Sequence, residues 1–100
     1  MFERKAVLGL VRVHVLHHAT EPEGIYGMAM IDELARHGYR ISPGTLYPIL
    51  HEMEEEGILR SSGTVEGGRR RRVYRATAEG HRVLRRLRRF VRELHGEVVG

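Results

Sequence analysis

The sequence predicts a mainly α-helical α+β fold, in which four helices and one β-hairpin form one compact unit. Three observations lead to this prediction. Apolar residues recur at three- and four-residue spacing over residues 26–36, 43–53 and 77–98, as in amphipathic helices. Two short runs with β-strand character flank the glycine-containing segment 63–68. The length of 100 residues and the hydrophobic content of 41% are those of one ordinary soluble domain.

The first helix is predicted over residues 2–18, which are apolar on nearly all faces and therefore buried on more than one side. A strand over residues 11–15 is a competing interpretation, because its valines alternate with other residues. The stretch is long and contains no proline, so we expect a helix. A loop over residues 20–24 and a second helix from Tyr26 to Arg36, closed by Gly38, are predicted next.

The third helix has the clearest predicted start and end. Ser42 is a good N-cap whose hydroxyl is expected to accept a free backbone N–H, and Pro43 suits the first helical position. Gly57 is the predicted stop. Pro48 lies inside the helix and is expected to distort it. The predicted buried stripe consists of Leu46, Ile49, Leu50 and Met53.

The opposite face of this helix carries Thr45, Tyr47, Pro48 and His51, which are uncharged and suited to polar or flat contacts. The face therefore suits recognition of a partner, whereas in the simpler interpretation the helix only covers a core. Two helices joined by a short glycine-containing connector form a helix-turn-helix arrangement.

A β-hairpin is predicted from residues 58–62 and 69–77, with a flexible tip at Gly63 to Gly68. The return strand begins with four arginines, Arg69, Arg70, Arg71 and Arg72. Alternate strand residues point to opposite faces, so about two of the four can face one partner, and Val73 is expected to oppose Tyr74. Arginine favours a phosphate-binding role, and a solvated edge that prevents aggregation is the alternative.

The charge distribution is strongly asymmetric. The net charge is +4, but residues 1–56 carry five basic and nine acidic side chains, whereas residues 57–100 carry twelve and four. This asymmetry indicates a polyanionic partner, and a basic solvated surface is the other interpretation.

The last helix begins at the predicted N-cap Thr77, with Glu79 in its first turn. Its apolar residues repeat with a period of 3.5, and the helix is too long for a core this small to bury it. We therefore expect a homodimer, with an intramolecular core helix as the alternative.

Residues 1–76 form the predicted winged helix-turn-helix DNA-binding domain, and residues 77–100 form the dimerisation helix. The predicted interface residues are Val7, Leu10, Val11, Leu84, Leu87, Phe90, Val91 and Leu94.

Several classes of function are disfavoured. The chain has no cysteine, no run long enough to span a membrane and no secretion signal, so a cytoplasmic protein is the default expectation. No catalytic motif is found, and residues 54–56 are interpreted as a solvated helix end, so no enzyme and no cofactor are expected. His14 and His18 are one turn apart and offer a candidate metal site, or they are simply polar interface residues.

The motifs together resemble the PadR family of bacterial transcriptional regulators. The resemblance covers about residues 5 to 90. It is carried by Tyr26-Gly27, Gly38-Tyr39, the run Ser42-Pro43-Gly44-Thr45-Leu46-Tyr47-Pro48, Leu50, the segment from Glu54 to Leu59, the segment from Gly67 to Tyr74, Thr77 and Gly80. It implies the short subfamily with one C-terminal helix, and a dimeric regulator, usually a repressor, that binds inverted repeats in double-stranded DNA and is often released by a small effector.

The resemblance also implies roles for single residues. Thr45 and Tyr47 are the best candidates for hydrogen bonds to bases or phosphates. The chain lacks tryptophan, the residue with which some members hold flat drugs. A metal-responsive regulator and a winged-helix protein-interaction module without DNA binding are the alternatives. The implied DNA-binding set is Tyr26, Ser42, Pro43, Gly44, Thr45, Tyr47, Pro48, Arg69, Arg70, Arg71 and Arg72.

Overall fold

A computed structural model describes residues 1–100 as four helices and a small antiparallel sheet. The helix prediction for the first segment is confirmed, and the strand alternative is wrong. Both the predicted loop and the order of the later elements are also confirmed. The elements are α1 (Phe2–Ala19), β1 (Ile25–Tyr26), α2 (Gly27–Arg36), α3 (Pro43–Glu55), β2 (Leu59–Glu66), β3 (Arg69–Ala76) and α4 (Ala78–Val98).

The short strand β1 is an element that the sequence did not predict. Tyr26 was expected to begin the second helix, but it is extended and pairs with Val73, so that α2 starts one residue later. β3 lies at the centre of the sheet between β1 and β2. Two residues are too few to show a strand periodicity in the sequence, and only pairing with β3 makes this segment a strand.

Two helices end in the same hydrogen-bonded motif, as the two predicted glycine stops require. After α2, Gly38 N–H donates to the Ala35 carbonyl and Tyr39 N–H to the Leu34 carbonyl. After α3, Gly57 N–H donates to the Glu54 carbonyl and Ile58 N–H to the Met53 carbonyl. Both glycines have positive φ, 93° and 80°, which a side chain would disfavour.

Helix α3 has the predicted N-cap residue but lacks the predicted capping hydrogen bond. Ser42 occupies the N-cap position, but its hydroxyl accepts no backbone N–H and instead lies 3.4 Å from the Thr45 hydroxyl. Pro48 lies inside the helix as predicted, and α3 continues through it to Glu55. The carbonyl that loses its partner belongs to Gly44, which is exposed, so water can satisfy it. The predicted stripe of Leu46, Ile49, Leu50 and Met53 is buried.

The hairpin is longer and its turn tighter than predicted. Glu66 pairs with Arg69, and only Gly67 and Gly68 form the turn, with φ values of 55° and 79°. Such a two-residue turn matches the twist of the strands. Val73 and Tyr74 point to opposite faces of the sheet, as expected, and both are buried. Tyr74 faces the main core, while Val73 is covered by the segment around Gly24.

The core lies between α1, α2, α3 and the base of the sheet. Helix α4 adds only Gly80 and Leu84 as buried residues, and the residues of its second half are exposed. The longest dimension of the whole molecule is 48 Å. Val11 and Leu84, which we expected at a dimer interface, are instead buried in the core of this single chain. No helix is both long enough and apolar enough to cross a lipid bilayer.

Candidate nucleic-acid interface

The first turns of α3 present a largely uncharged exposed surface. Ser42, Pro43, Gly44 and Pro48 are exposed, because the apolar stripe holds the other side of α3 against the core. Thr45 is half-buried, and its hydroxyl lies 3.4 Å from the Arg4 guanidinium of α1. Arg4 is a cation at this surface that the sequence analysis missed, since 41 residues separate it from Thr45.

Tyr47 belongs partly to the packing of the fold. Its ring lies against the first residue of α2, and a Cβ on Gly27 would overlap the Tyr47 hydroxyl. The absence of a side chain at Gly27 therefore lets α3 approach the start of α2. Tyr47 is half-buried, with its remaining surface turned toward the hairpin.

A groove of about 460 Å³ separates α3 from the hairpin and joins most of the predicted contact residues. Its walls come from three parts of the chain that are distant in sequence. Gly27 and Met28 are the two lining residues that were not among the predicted DNA-binding residues. The lining residues are Tyr26, Gly27, Met28, Tyr47, Arg69, Arg70, Arg71 and Arg72.

Two polar links fix the hairpin, one to β1 and the other to α3. The Tyr26 hydroxyl donates to Glu66 Oε1 at 3.0 Å, and the Arg71 guanidinium lies 5.5 Å from the centre of the Tyr26 ring. The hydrogen bond to Glu66 raises the pKa of Tyr26 above its usual value. This link joins β1 to the end of β2 near the turn.

The second link runs from α3 through Ser61 to the arginines. Glu54 Oε2 accepts from the Ser61 backbone N–H at 3.1 Å and from its hydroxyl at 2.8 Å. Arg72 donates to the same hydroxyl at 2.9 Å. Glu54 was interpreted as part of a solvated helix end, which is wrong for this residue, whereas Glu55 and Glu56 are exposed.

A second groove, of about 620 Å³, lies between α1 and α4. Its apolar lining includes Leu10, Val13 and Val91, and its polar lining includes Arg88 and Arg92. Leu10 and Val91 are 44% and 46% exposed, respectively. These residues, with Phe90 and Leu94, form the exposed part of the predicted dimer interface, while Val7 and Leu87 pack at the edge of the core.

His14 and His18 lie on one side of α1, as their spacing predicts, and the structure adds His37 from the end of α2. Burial lowers the pKa of His14, and the neighbouring His37 and His18 lower it further. A hydrogen bond with His37 lowers the pKa of Glu33. His37 and Glu33 were not predicted here, because no sequence spacing links α2 to α1.

Comparisons with known proteins agree with this geometry. Residues 15–86 match the transcriptional regulator PadR-like family. The chain is 52% identical to the transcriptional regulator Rv3488 of Mycobacterium tuberculosis over 99 residues, which cover 99% of this chain and 88% of that protein. A PadR family transcriptional regulator from Eggerthella lenta is 36% identical, with a TM-score of 0.77 over 97% of this chain and 88% of the other.

A PadR-like transcriptional regulator from Bacillus cereus is 23% identical, with a TM-score of 0.85 over 94% of this chain and 92% of the other, and it shows the same fold. The family match covers most of the chain, and it is a match to regulators of transcription, not to enzymes. This chain therefore belongs to the PadR-like family of transcriptional regulators.

Proposed function

We propose that this chain is a cytoplasmic, dimeric repressor that binds an inverted repeat in double-stranded DNA and is released by a small effector. The observation that carries the proposal is the groove between α3 and the hairpin, where an uncharged helix face lies beside four arginines. An uncharged polar helix face suits base edges, and a row of guanidinium groups suits phosphates. The two surfaces are complementary to one duplex.

Binding is expected to place α3 in the major groove. The groove of B-DNA is about 12 Å wide and admits one helix, whose first turns reach the base edges. Ser42, Thr45 and the exposed part of Tyr47 are the side chains available there. The hairpin arginines then lie beside the sugar–phosphate backbone, where they displace condensed counterions.

Dimerisation is supported by the exposed half of α4. Leu94 and Val98 are 51% and 71% exposed, and Phe90 is 70% exposed, although all three extend the apolar seam that begins at buried Leu84. A seam of period 3.5 suits packing against a second helix. A second copy would cover it, and the resulting two-fold symmetry matches an inverted repeat.

The effector is proposed to enter the groove between α1 and α4. Its volume of about 620 Å³ is within the usual range for small-molecule pockets. The exposed lining surface is mostly apolar and includes two arginines, which suits a small apolar molecule that carries a negative charge. Because the groove adjoins the exposed seam of α4, an occupant there would change how two copies pack.

The test is a titration of the purified protein against its own upstream promoter DNA and an unrelated duplex of equal length, at two salt concentrations. We expect tight binding to the promoter that weakens steeply with salt and exceeds binding to the unrelated duplex. Equal weak binding to both duplexes would contradict a specific operator upstream of its own gene. No binding at low salt would contradict the proposal and favour a protein-interaction module.

A further inference from the structure

Three histidines meet where the second half of α1 lies beside the end of α2. His14 and His18 come from consecutive turns of α1, and His37 follows the last turn of α2. Each offers one ring nitrogen, and the three nitrogens all lie within 4.8 Å of one another. The rings of His14 and His37 are 5.0 Å apart between centres. His14 and His18 are half-buried, so the cluster is partly sheltered from solvent.

Two carboxylates support these rings. Glu21 Oε1 lies 2.9 Å from His18 Nδ1, so Nε2 is the nitrogen through which His18 would bind a metal ion. Glu33 Oε2 lies 2.9 Å from His37 Nε2 and 3.6 Å from His18 Nε2. A carboxylate on the second nitrogen of a ligating histidine fixes its tautomer and orientation, and this pattern is typical of metal centres.

We propose that His14, His18 and His37 bind one divalent transition-metal ion of the zinc class, with a solvent molecule as the fourth ligand and with Glu21 and Glu33 outside the ligand set. Zinc takes imidazole nitrogens at about 2.1 Å in tetrahedral geometry, so ligand atoms end about 3.4 Å apart. The present separation of up to 4.8 Å closes through small side-chain rotations. Three imidazoles select zinc, copper or nickel over calcium and magnesium, which prefer oxygen ligands.

The position of the site connects two parts of the proposed regulator. His14 also lines the groove between α1 and α4, and His37 caps the helix that precedes α3. A bound ion would therefore fix α1 to the end of α2, beside the proposed dimer seam. Metal-dependent DNA affinity is the expected consequence, and this consequence rests on the proposed function.

The experiment uses full-length protein without a histidine tag, stripped of metal with a chelator. Zinc binding is measured by isothermal titration calorimetry, and cobalt binding by visible absorption, which distinguishes tetrahedral from octahedral coordination. The variants are His18→Gln and His37→Gln, and the matched control is His81→Gln, an exposed histidine of α4. Far-UV circular dichroism verifies that each variant is folded.

We expect one ion per chain, a tetrahedral cobalt spectrum, at least about a tenfold loss of affinity in the two cluster variants, and no change in the control. Failure of zinc to bind the native protein, or equal affinity in all four proteins, would overturn the site. Promoter binding by native protein and by His37→Gln is then compared with and without zinc.

Promoter affinity that changes with zinc only in the native protein supports the regulatory role. If zinc leaves the promoter affinity of the native protein unchanged, the regulatory role is overturned. The metal site itself is tested separately, by the zinc titration. No promoter binding under any condition contradicts the proposed function and leaves the zinc result standing.

Discussion

The Tyr26 hydroxyl donates a hydrogen bond to Glu66 across 40 residues of sequence, at a distance of 3.0 Å. The bond joins the residue before α2 to the end of β2 beside the Gly67-Gly68 turn. It therefore places a carboxylate among the four arginines and fixes the hairpin relative to the start of α2.

The first prediction concerns the charge of Glu66. Glu66→Gln retains an acceptor for Tyr26 but removes a negative charge beside the arginines, so DNA affinity should rise, most clearly at low salt. Glu97→Gln, on the exposed end of α4, removes the same charge far from the hairpin and is the control. Fluorescence anisotropy with labelled promoter DNA measures both, and an equal rise in the two variants would contradict a local effect.

The same pair predicts a pH dependence. The neutral Tyr26 phenol is the donor, so the folded chain holds its pKa above the usual value of about 10. The bond stabilises the fold fully below the usual pKa, and this contribution is lost as the pH rises through the raised pKa. The tyrosinate absorbance of the native protein is followed against pH, and subtracting that of the Tyr26→Phe variant gives the pKa of Tyr26. This pKa should be lower in the Glu66→Gln variant.

The second prediction separates two adjacent glutamates. Glu54→Ala should destabilise the fold by about 1–3 kcal/mol, because Ser61 loses the carboxylate that accepts two of its hydrogen bonds. Glu55→Ala should change the free energy of unfolding by less than about 0.5 kcal/mol, since Glu55 is exposed. Urea unfolding followed by circular dichroism compares them, and similar midpoints would show that the link between α3 and β2 adds no stability.

The third prediction compares two glycines of one helix. A Cβ on Gly80 would overlap the Ile58 carbonyl, so Gly80→Ala should cost at least about 1–3 kcal/mol. Gly96 has open space around it, and Gly96→Ala should be neutral or stabilising by up to about 1 kcal/mol. Thermal unfolding should show a lower midpoint only for Gly80→Ala, and a loss in both variants would mean that α4 disfavours alanine for another reason.

The fourth prediction tests the dimer. Replacing Val91 and Leu94 by Glu should give folded monomers, because charges cannot be buried without partners in an apolar seam. Val65→Glu changes a residue of the hairpin that is 68% exposed and should leave the dimer intact. Size-exclusion chromatography with light scattering gives the mass. A double variant that remains dimeric would place the interface elsewhere.

The fifth prediction tests the hairpin arginines. Replacing Arg70 and Arg72 by Ala should weaken binding to all DNA sequences and reduce the slope of log affinity against log salt by about one per lost phosphate contact. Arg85 and Arg89 of α4 are also exposed, and replacing them by Ala should leave the slope of log affinity against log salt unchanged. An unchanged slope in the hairpin variant would remove the hairpin from the binding mechanism.

Local signals predicted most of the fold. Thr77 caps α4 as expected, with its hydroxyl accepting from Gly80 N–H at 3.0 Å, and Gly38 and Gly57 end their helices. The prediction was wrong where local preference competed with context. Ser42 stands at the predicted cap without making the capping hydrogen bond.

The four helices, the glycines that end α2 and α3, and the arginine strand were predictable from the amino-acid sequence, because each depends on residues that are close together along the chain. Only the tertiary structure decided that Glu54 holds Ser61, that Tyr47 rests on Gly27, and that His37 completes the pair on α1. The residues in these contacts come from different elements of the fold, so no helical or strand periodicity in the sequence predicts that they meet. They depend on how the apolar faces pack together, and that packing is set by the whole core.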